Sequence, residues 1–216
     1  MAFYFEKPAD FSHEAGQNAM FTLIDPGEED AAGPSRTFTI ASAPHERELM
    51  IATRMRDSAF KRFLAAAKPG AKLEMEGPLG LMVLHEDASR PAVFLAGGIG
   101  ITPFLAMARD AAKRQLPHQI TLIYSNRRPQ DAAFLAELER LQGPKLRLVT
   151  TMTDAPEWRG EKRRIGRELL EQHVQEVRAP VYYFAGPPAM TMAVQGMLKE
   201  LGVSEDDMRS EEFYGY

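Results

Sequence analysis

Two rhythms divide the chain. Up to about residue 88 the apolar positions come in short runs: Phe3–Glu6, Ala19–Ile24, Arg36–Ala41, Met50–Thr53 and Lys72–Glu76. They are rich in Phe, Thr, Ile and Val and are bounded by turn formers such as Asp25-Pro26-Gly27 and Lys68-Pro69-Gly70. Such runs predict strands. One helical segment, Ser58–Ala67, interrupts them, with Ser58 as a suitable N-cap. Several short strands with turns between them predict a small antiparallel β-barrel. Beyond residue 88 the pattern changes. Apolar strand-like runs at Ala92–Ala96, Gln119–Tyr124, Arg147–Thr151 and Val181–Ala185 alternate with helix-period segments at Pro103–Arg114, Asp131–Leu141, Gly166–Val177 and Pro188–Leu201. That alternation predicts βαβ units and a parallel sheet covered on both faces. The expected fold class is therefore β followed by α/β, with residues 1–88 as one domain and 89–216 as a second, Rossmann-like domain. The switch lies in the polar stretch His85–Pro91.

Composition narrows the function. A hydrophobic share of 44% and a charged share of 26% belong to a globular chain, not a disordered or fibrous one. The net charge is -4, divided as -5 in residues 1–88 and +1 in residues 89–216, so there is no basic footprint for nucleic acid. The absence of cysteine excludes disulfides, thiolate zinc sites, a cysteine nucleophile and the usual iron–sulfur ligation, and it fits a reducing, cytoplasmic setting. The start, Met1–Pro8, has an early acid and no long apolar core, unlike a signal peptide. The uncharged run between Arg90 and Arg109 is cut by Gly97, Gly98, Gly100, Thr102 and Pro103, which reads as a buried strand, a turn and a helix start; no membrane insertion is expected. His13, His45, His85, His118 and His173 lack metal-ligand spacing, no Ser-His-Asp pattern or P-loop appears, and no metal is expected.

The strongest chemical signal is Phe94-Leu95-Ala96-Gly97-Gly98-Ile99-Gly100-Ile101-Thr102-Pro103-Phe104. Glycines at a strand-to-helix turn let backbone N–H groups approach a phosphate, and the helix N-terminus adds partial positive charge. Thr102 is expected to cap the helix and Pro103 to open it. The plain alternative is a glycine turn needed for packing. A second strand-to-helix junction, Ala185-Gly186-Pro187-Pro188, also lies at the carboxyl end of a strand, where parallel sheets bind ligands. In the first domain, Arg36-Thr37-Phe38-Thr39 reads by itself as an ordinary strand, with Arg36 and Phe38 on one face and Thr37 and Thr39 on the other.

Taken in order along nearly the whole chain, these features resemble the ferredoxin–NADP reductase superfamily of flavoproteins. The resemblance implies an FAD-binding barrel, one strand short at its start, followed by an NAD(P)-binding domain. It implies that Arg36 pairs with the flavin phosphates, where an Arg fork suits phosphate oxygens. It places Phe38 against the flavin, where the family more often has Tyr, and Thr39 near flavin N5, with Thr37 and Arg54 as further cofactor contacts. Ser58, Ala59 and the N–H groups around them match the second phosphate contact. Gly77-Pro78-Leu79-Gly80 resembles the family's turn before the last barrel strand. Gly97, Gly98, Gly100, Thr102 and Pro103 would bind the nicotinamide dinucleotide, and Gly186, Pro187 and Pro188 would border the nicotinamide. Ala185 stands where many relatives have Cys. At the C-terminus, Glu211 and Phe213 match the family's acid and aromatic at the catalytic centre, and Tyr216 is a second candidate for covering the flavin ring; a plain terminal strand of the parallel sheet is the alternative.

The resemblance thus implies an FAD-dependent NAD(P)H oxidoreductase, with hydride passing from nicotinamide C4 to flavin N5. Electrons then go to a separate acceptor: a ferredoxin-like or haem protein, or a small oxidant. A dedicated reductase of an oxygenase system, or a non-catalytic nucleotide-binding subunit that kept the fold, are the other readings. The end of the second parallel strand, Ser125-Asn126-Arg127-Arg128, has no acid before Asp131. Ser125, Arg127 and Arg128 can hold a 2′-phosphate, which favours NADPH over NADH. The basic residues Arg159 and Lys162–Arg164 form a second run, which reads equally as a solvated face.

Overall fold

The computed structural model describes residues 1–28 and 30–213. The first half folds as two small antiparallel sheets. One is ordered β3 (Ser35–Thr39), β2 (Asn18–Leu23), β5 (Leu73–Leu79); the other pairs β1 (Ala2–Glu6) with β4 (Glu48–Ala52). Alternation along β2 turns Ala19, Phe21 and Leu23 into a core with Ile40, Leu49, Ile51, Phe60 and Leu64. The last two belong to α1 (Ala59–Ala66). Ser58 caps this helix as expected: its Oγ accepts from the Lys61 N–H at 3.3 Å.

The second half is a five-stranded parallel sheet in the order β10 (Met208–Glu212), β9 (Val181–Gly186), β6 (Ala92–Gly97), β7 (Ile120–Asn126), β8 (Leu146–Met152). Phe94, Leu122, Tyr124 and Tyr183 lie on one face, under α2 (Thr102–Arg114) and α3 (Leu135–Leu141). Leu95, Ile123, Tyr182 and Phe184 lie on the other, under α4 (Arg167–His173) and α5 (Pro188–Glu200). From β6 the chain moves outward to β7 and β8, then jumps back to β9 on the other side of β6. The ends of β6 and β9 therefore flank the topological switch point, where such sheets open a crevice. Among the described residues no helix is long and apolar enough to cross a membrane.

Two expectations are corrected here. The helix expected over Asp131–Leu141 is a 3-10 turn at Pro129–Asp131 followed by α3, because Phe134 takes a left-handed φ of 59° and breaks the run. Gly77-Pro78-Leu79 does not precede the last strand of the first half but forms its end. A Cβ on Gly77 would lie 2.8 Å from that of Ala19, so a glycine there lets β5 close onto β2, whose register with it shifts between Asn18 and Met20. Met208–Glu212 adds a fifth parallel strand at the edge of the sheet, and its register aligns Glu211 with Ala185 and Glu212 with Gly186.

The halves share a core. Ala41, Met50 and Met82 sit in one buried cluster with Ile101, Phe104 and Met107. Arg109, on α2, fastens them further. It donates to Glu137 on α3 at 2.6 and 2.9 Å and to the Ala41 carbonyl at 3.2 Å, and lies 3.4 Å from the Glu46 carboxylate.

Candidate functional site

The glycine turn and the Gly-Pro-Pro junction meet at the carboxyl edge of β6 and β9. A Cβ on Gly100 would fall 2.3 Å from the Ala185 carbonyl oxygen, and one on Gly186 would fall 3.1 Å from the Gly97 Cα. Packing alone thus requires two of these glycines. Gly98 is different in kind. It takes φ 55°, and its carbonyl accepts from the Tyr124 hydroxyl at 3.1 Å, as does that of Ala133 at 3.2 Å. Tyr124 thereby ties the turn to the loop before α3.

Thr102 does not cap α2. A 3-10 turn at Gly98–Ile101 leads into the helix, and the buried Thr102 hydroxyl donates back to the Ile99 carbonyl at 3.2 Å. Pro103, expected to open the helix, is instead the second residue of α2, after Thr102, still within the first turn, where its missing N–H leaves no bond unmade. Pro187 precedes α5 and Pro188 begins it. Ala185 is fully buried beside Tyr183 and Ala96.

In the first half, β3 presents Arg36 and Phe38 toward α1. The Phe38 ring lies 5.5 Å from that of Phe60, and the Arg36 guanidinium sits 5.7 Å from the same ring. Thr37 is exposed on the opposite face. Arg36 donates to Asp30 Oδ1 at 2.7 Å, and Asp30 Oδ2 accepts from the Ala59 N–H at 3.0 Å. One carboxylate is thus held jointly by the guanidinium and the first amide of α1, a geometry suited to any anion. Lys61 stands nearby; burial and the charges of Arg56 and Arg36 hold its pKa below the usual lysine value. Arg54 reaches across to the second half, donating to the Asp131 carbonyl at 3.2 Å while its Nε is buried without a partner.

The two halves meet again at Glu211. Its Oε1 accepts from Asn18 Nδ2 at 2.5 Å, and Asn18 aligns with Thr39 on β3 and Leu79 on β5. The Thr39 hydroxyl is buried and makes no hydrogen bond of good geometry, yet it lies close enough to steady the same carboxylate. Burial pushes the Glu211 carboxyl above its usual pKa, and Asn18 and Thr39 oppose that rise. The fold therefore prefers the protonated acid. The stability this gives is complete below the ordinary carboxylate pKa and is lost as pH rises through the folded value. Glu211→Gln should remove that loss, so from about pH 4 upward the wild-type melting temperature should fall relative to the variant. Parallel melting curves across that range would contradict the assignment.

Phe213 leaves β10 with its N–H on the Gly186 carbonyl at 3.0 Å and its side chain against the shared core. Tyr216 lies outside the described residues. At the end of β7, Ser125 is half-buried, and Arg127 and Arg128 both face Asp154, at 2.9 and 3.6 Å. Asp154 is anchored by its own N–H on the Arg127 carbonyl at 2.8 Å. The second basic run is engaged locally, Arg163 with Glu161 at 2.9 Å. A cavity of about 360 Å³ lined by Ala111, Leu116, Ile120 and Leu146 sits at the amino ends of β7 and β8, the wrong end of the sheet for this site. Sequence reading missed Asp30, Asn18, Tyr124 and Asp154, whose partners lie in other elements.

Residues 94–196 match the oxidoreductase NAD-binding domain family. The chain is 27% identical over 206 residues to reductase component 2 of terephthalate 1,2-dioxygenase from Comamonas, covering 93% of this chain and 59% of that protein. It is 28% identical to ferredoxin–NADP reductase B of Sorangium cellulosum, covering 93% of this chain and 81% of that one. It thus spans less than two thirds of the dioxygenase component's length. Among solved structures it superposes on a ferredoxin–NADP reductase of Neisseria gonorrhoeae carrying FAD and NADP, with a TM-score of 0.82, 22% identity, and coverage of 98% of this chain and 91% of that one. The FAD/NAD-binding domain of a nitric oxide dioxygenase from Vibrio cholerae gives a TM-score of 0.82 at 20% identity, with the same coverage.

Proposed function

We propose that this chain, which is ferredoxin–NADP reductase-like in sequence and fold, is an NAD(P)H-dependent flavoprotein reductase. The observation that carries the reading is the convergence of the Arg36 guanidinium and the Ala59 N–H on one carboxylate. An anion seat already formed from those two groups suits the phosphates of a flavin. The buried Thr39 hydroxyl, which makes no hydrogen bond of good geometry, suits a polar ring edge beside it. When bound, FAD would accept hydride from a nicotinamide and pass electrons onward.

The protein's part is positioning. Residues 1–88 would hold the flavin through Arg36, Thr37, Phe38, Thr39, Arg54, Ser58 and Ala59. Residues 89–216 would hold the dinucleotide along the Gly97–Pro103 turn and against Gly186, Pro187 and Pro188. Glu211, kept beside Thr39 by Asn18, would hold a proton at the boundary between the two, and Phe213 would shield that boundary from water. The names of the relatives favour a separate protein acceptor, of ferredoxin or oxygenase type, and we place the protein in the cytoplasm. Purified protein should be yellow and should bleach when NADPH or NADH is added in stopped flow. A colourless protein that takes up no added flavin would end this reading.

NADPH is favoured on the strength of Arg127 and Arg128. Replacing both with Ala should raise the KM for NADPH about tenfold while changing that for NADH by less than about threefold, because a 2′-phosphate is read by nearby Arg. Equal losses for both cofactors would show that these arginines read no phosphate.

A further inference from the structure

Asp30 has no role in the cofactor contacts assigned above, yet it occupies their centre. Its carboxylate takes the Arg36 guanidinium on Oδ1 at 2.7 Å, the Ala32 N–H on the same oxygen at 3.0 Å, and the Ala59 N–H on Oδ2 at 3.0 Å. The Ala32 contact is a local turn, of the kind any loop aspartate makes. The Ala59 contact is not local. It spans 29 residues and brings a loop carboxylate to the N-terminus of α1. The surroundings are cationic, since Lys61 feels the charges of Arg36 and Arg56. The neighbouring acids Glu28 and Asp57 are engaged elsewhere, with Arg62.

We propose that Asp30 is the internal counter-ion of the flavin phosphate seat, an affinity-setting residue that a phosphate must displace before it can bind Arg36 and Ala59. This rests on the flavin reading above and adds to it the side chain that competes with the ligand. A phosphate and the Asp30 carboxylate need the same two donors, and their like charges cannot share so small a space. The Asp30–Arg36 pair is partly exposed, at 29% and 23%, so its displacement is within reach of a phosphate ligand.

Asp30→Asn keeps the shape and removes the charge. With the full-length protein stripped of flavin, fluorescence titration should show the variant binding FAD and FMN roughly three- to tenfold more tightly than wild type. Riboflavin, which has no phosphate, should bind both proteins equally. Unchanged or weaker FAD binding by the variant would overturn the proposal, because Asp30 would then support Arg36 instead of competing for it. An equal gain for riboflavin would overturn it too. Inorganic pyrophosphate separates this from the flavin reading. It should raise the melting temperature of the variant more than that of wild type, even if neither protein binds any flavin. Equal shifts in both would show that Asp30 does not contest the seat.

Discussion

Arg36→Ala should strip the protein of its flavin. A charge-assisted contact to phosphate contributes about 1.5–3 kcal/mol, so affinity should fall roughly ten- to more than a hundredfold. The structure adds a second route to the same loss. Arg36 also donates to the carbonyls of Ala32, Gly33 and Ser35, so the alanine variant frees the loop that walls the seat. Arg36→Lys separates the two effects: it keeps the charge but not the planar fork, and should bind flavin with intermediate affinity. Flavin content after extensive dialysis, set against protein concentration, is the measurement. An alanine variant that keeps its flavin would remove Arg36 from the site.

Gly100→Ala is expected to be the most destabilising single methyl in the second half. The new Cβ would meet the Ala185 carbonyl oxygen at 2.3 Å, its carbon at 2.5 Å and the Gly186 nitrogen at 2.7 Å, all backbone atoms of the adjacent strand. The 3-10 turn cannot back away from the end of β9 without disturbing the junction that follows β6. Overpacking of this kind costs about 1–3 kcal/mol or more, and at this chain length the melting temperature should drop by roughly 2–12 °C. Gly97→Ala is the control. Its Cβ would meet the Met190 Sδ at 2.3 Å, the end of a flexible side chain that can turn aside, so the loss should be smaller. The KM for the nicotinamide dinucleotide should rise in Gly100→Ala, since the turn moves with the strand. A Gly100→Ala protein that melts with the wild type would mean that the Gly98–Ile101 turn and the end of β9 are not in contact in solution.

Much of the architecture was legible because burial on both faces leaves an unmistakable mark. Val93–Ala96 and Tyr182–Ala185 are apolar without interruption, as strands in the middle of a parallel sheet must be. The strand Met208–Glu212 leaves almost no such mark. It is an edge strand of mostly polar residues, and nothing in Arg209-Ser210-Glu211-Glu212 repeats with an apolar period. Thr102 has the right chemistry for a cap and the wrong place, because the 3-10 turn before it satisfies the helix start through the backbone. Phe134 takes its positive φ at the start of α3, and a phenylalanine gives no local warning of it.

The candidate site could be proposed from the sequence where one element carries its residues, as in Arg36–Thr39 and Gly97–Pro103. It was illegible where two elements must meet. Asn18 and Glu211 are 193 residues apart, and Arg127 and Asp154 are 27 apart. Periodicity reports which face a residue takes, not which residue waits on the other side.

The buried cluster shared by Ala41, Met50, Met82, Phe104 and Met107 bears on how this protein can be taken apart and recombined. A cut at residue 88 looks natural from composition, yet it would bare apolar surface on both fragments and leave Arg109 without the Ala41 carbonyl and Glu46. Neither fragment should be soluble alone. Chimeras that swap the second half for that of a relative should express only when the donor's α2 carries side chains that refill the places of Phe104, Met107 and Arg109. The compatible unit of exchange is the half together with its inner helix face.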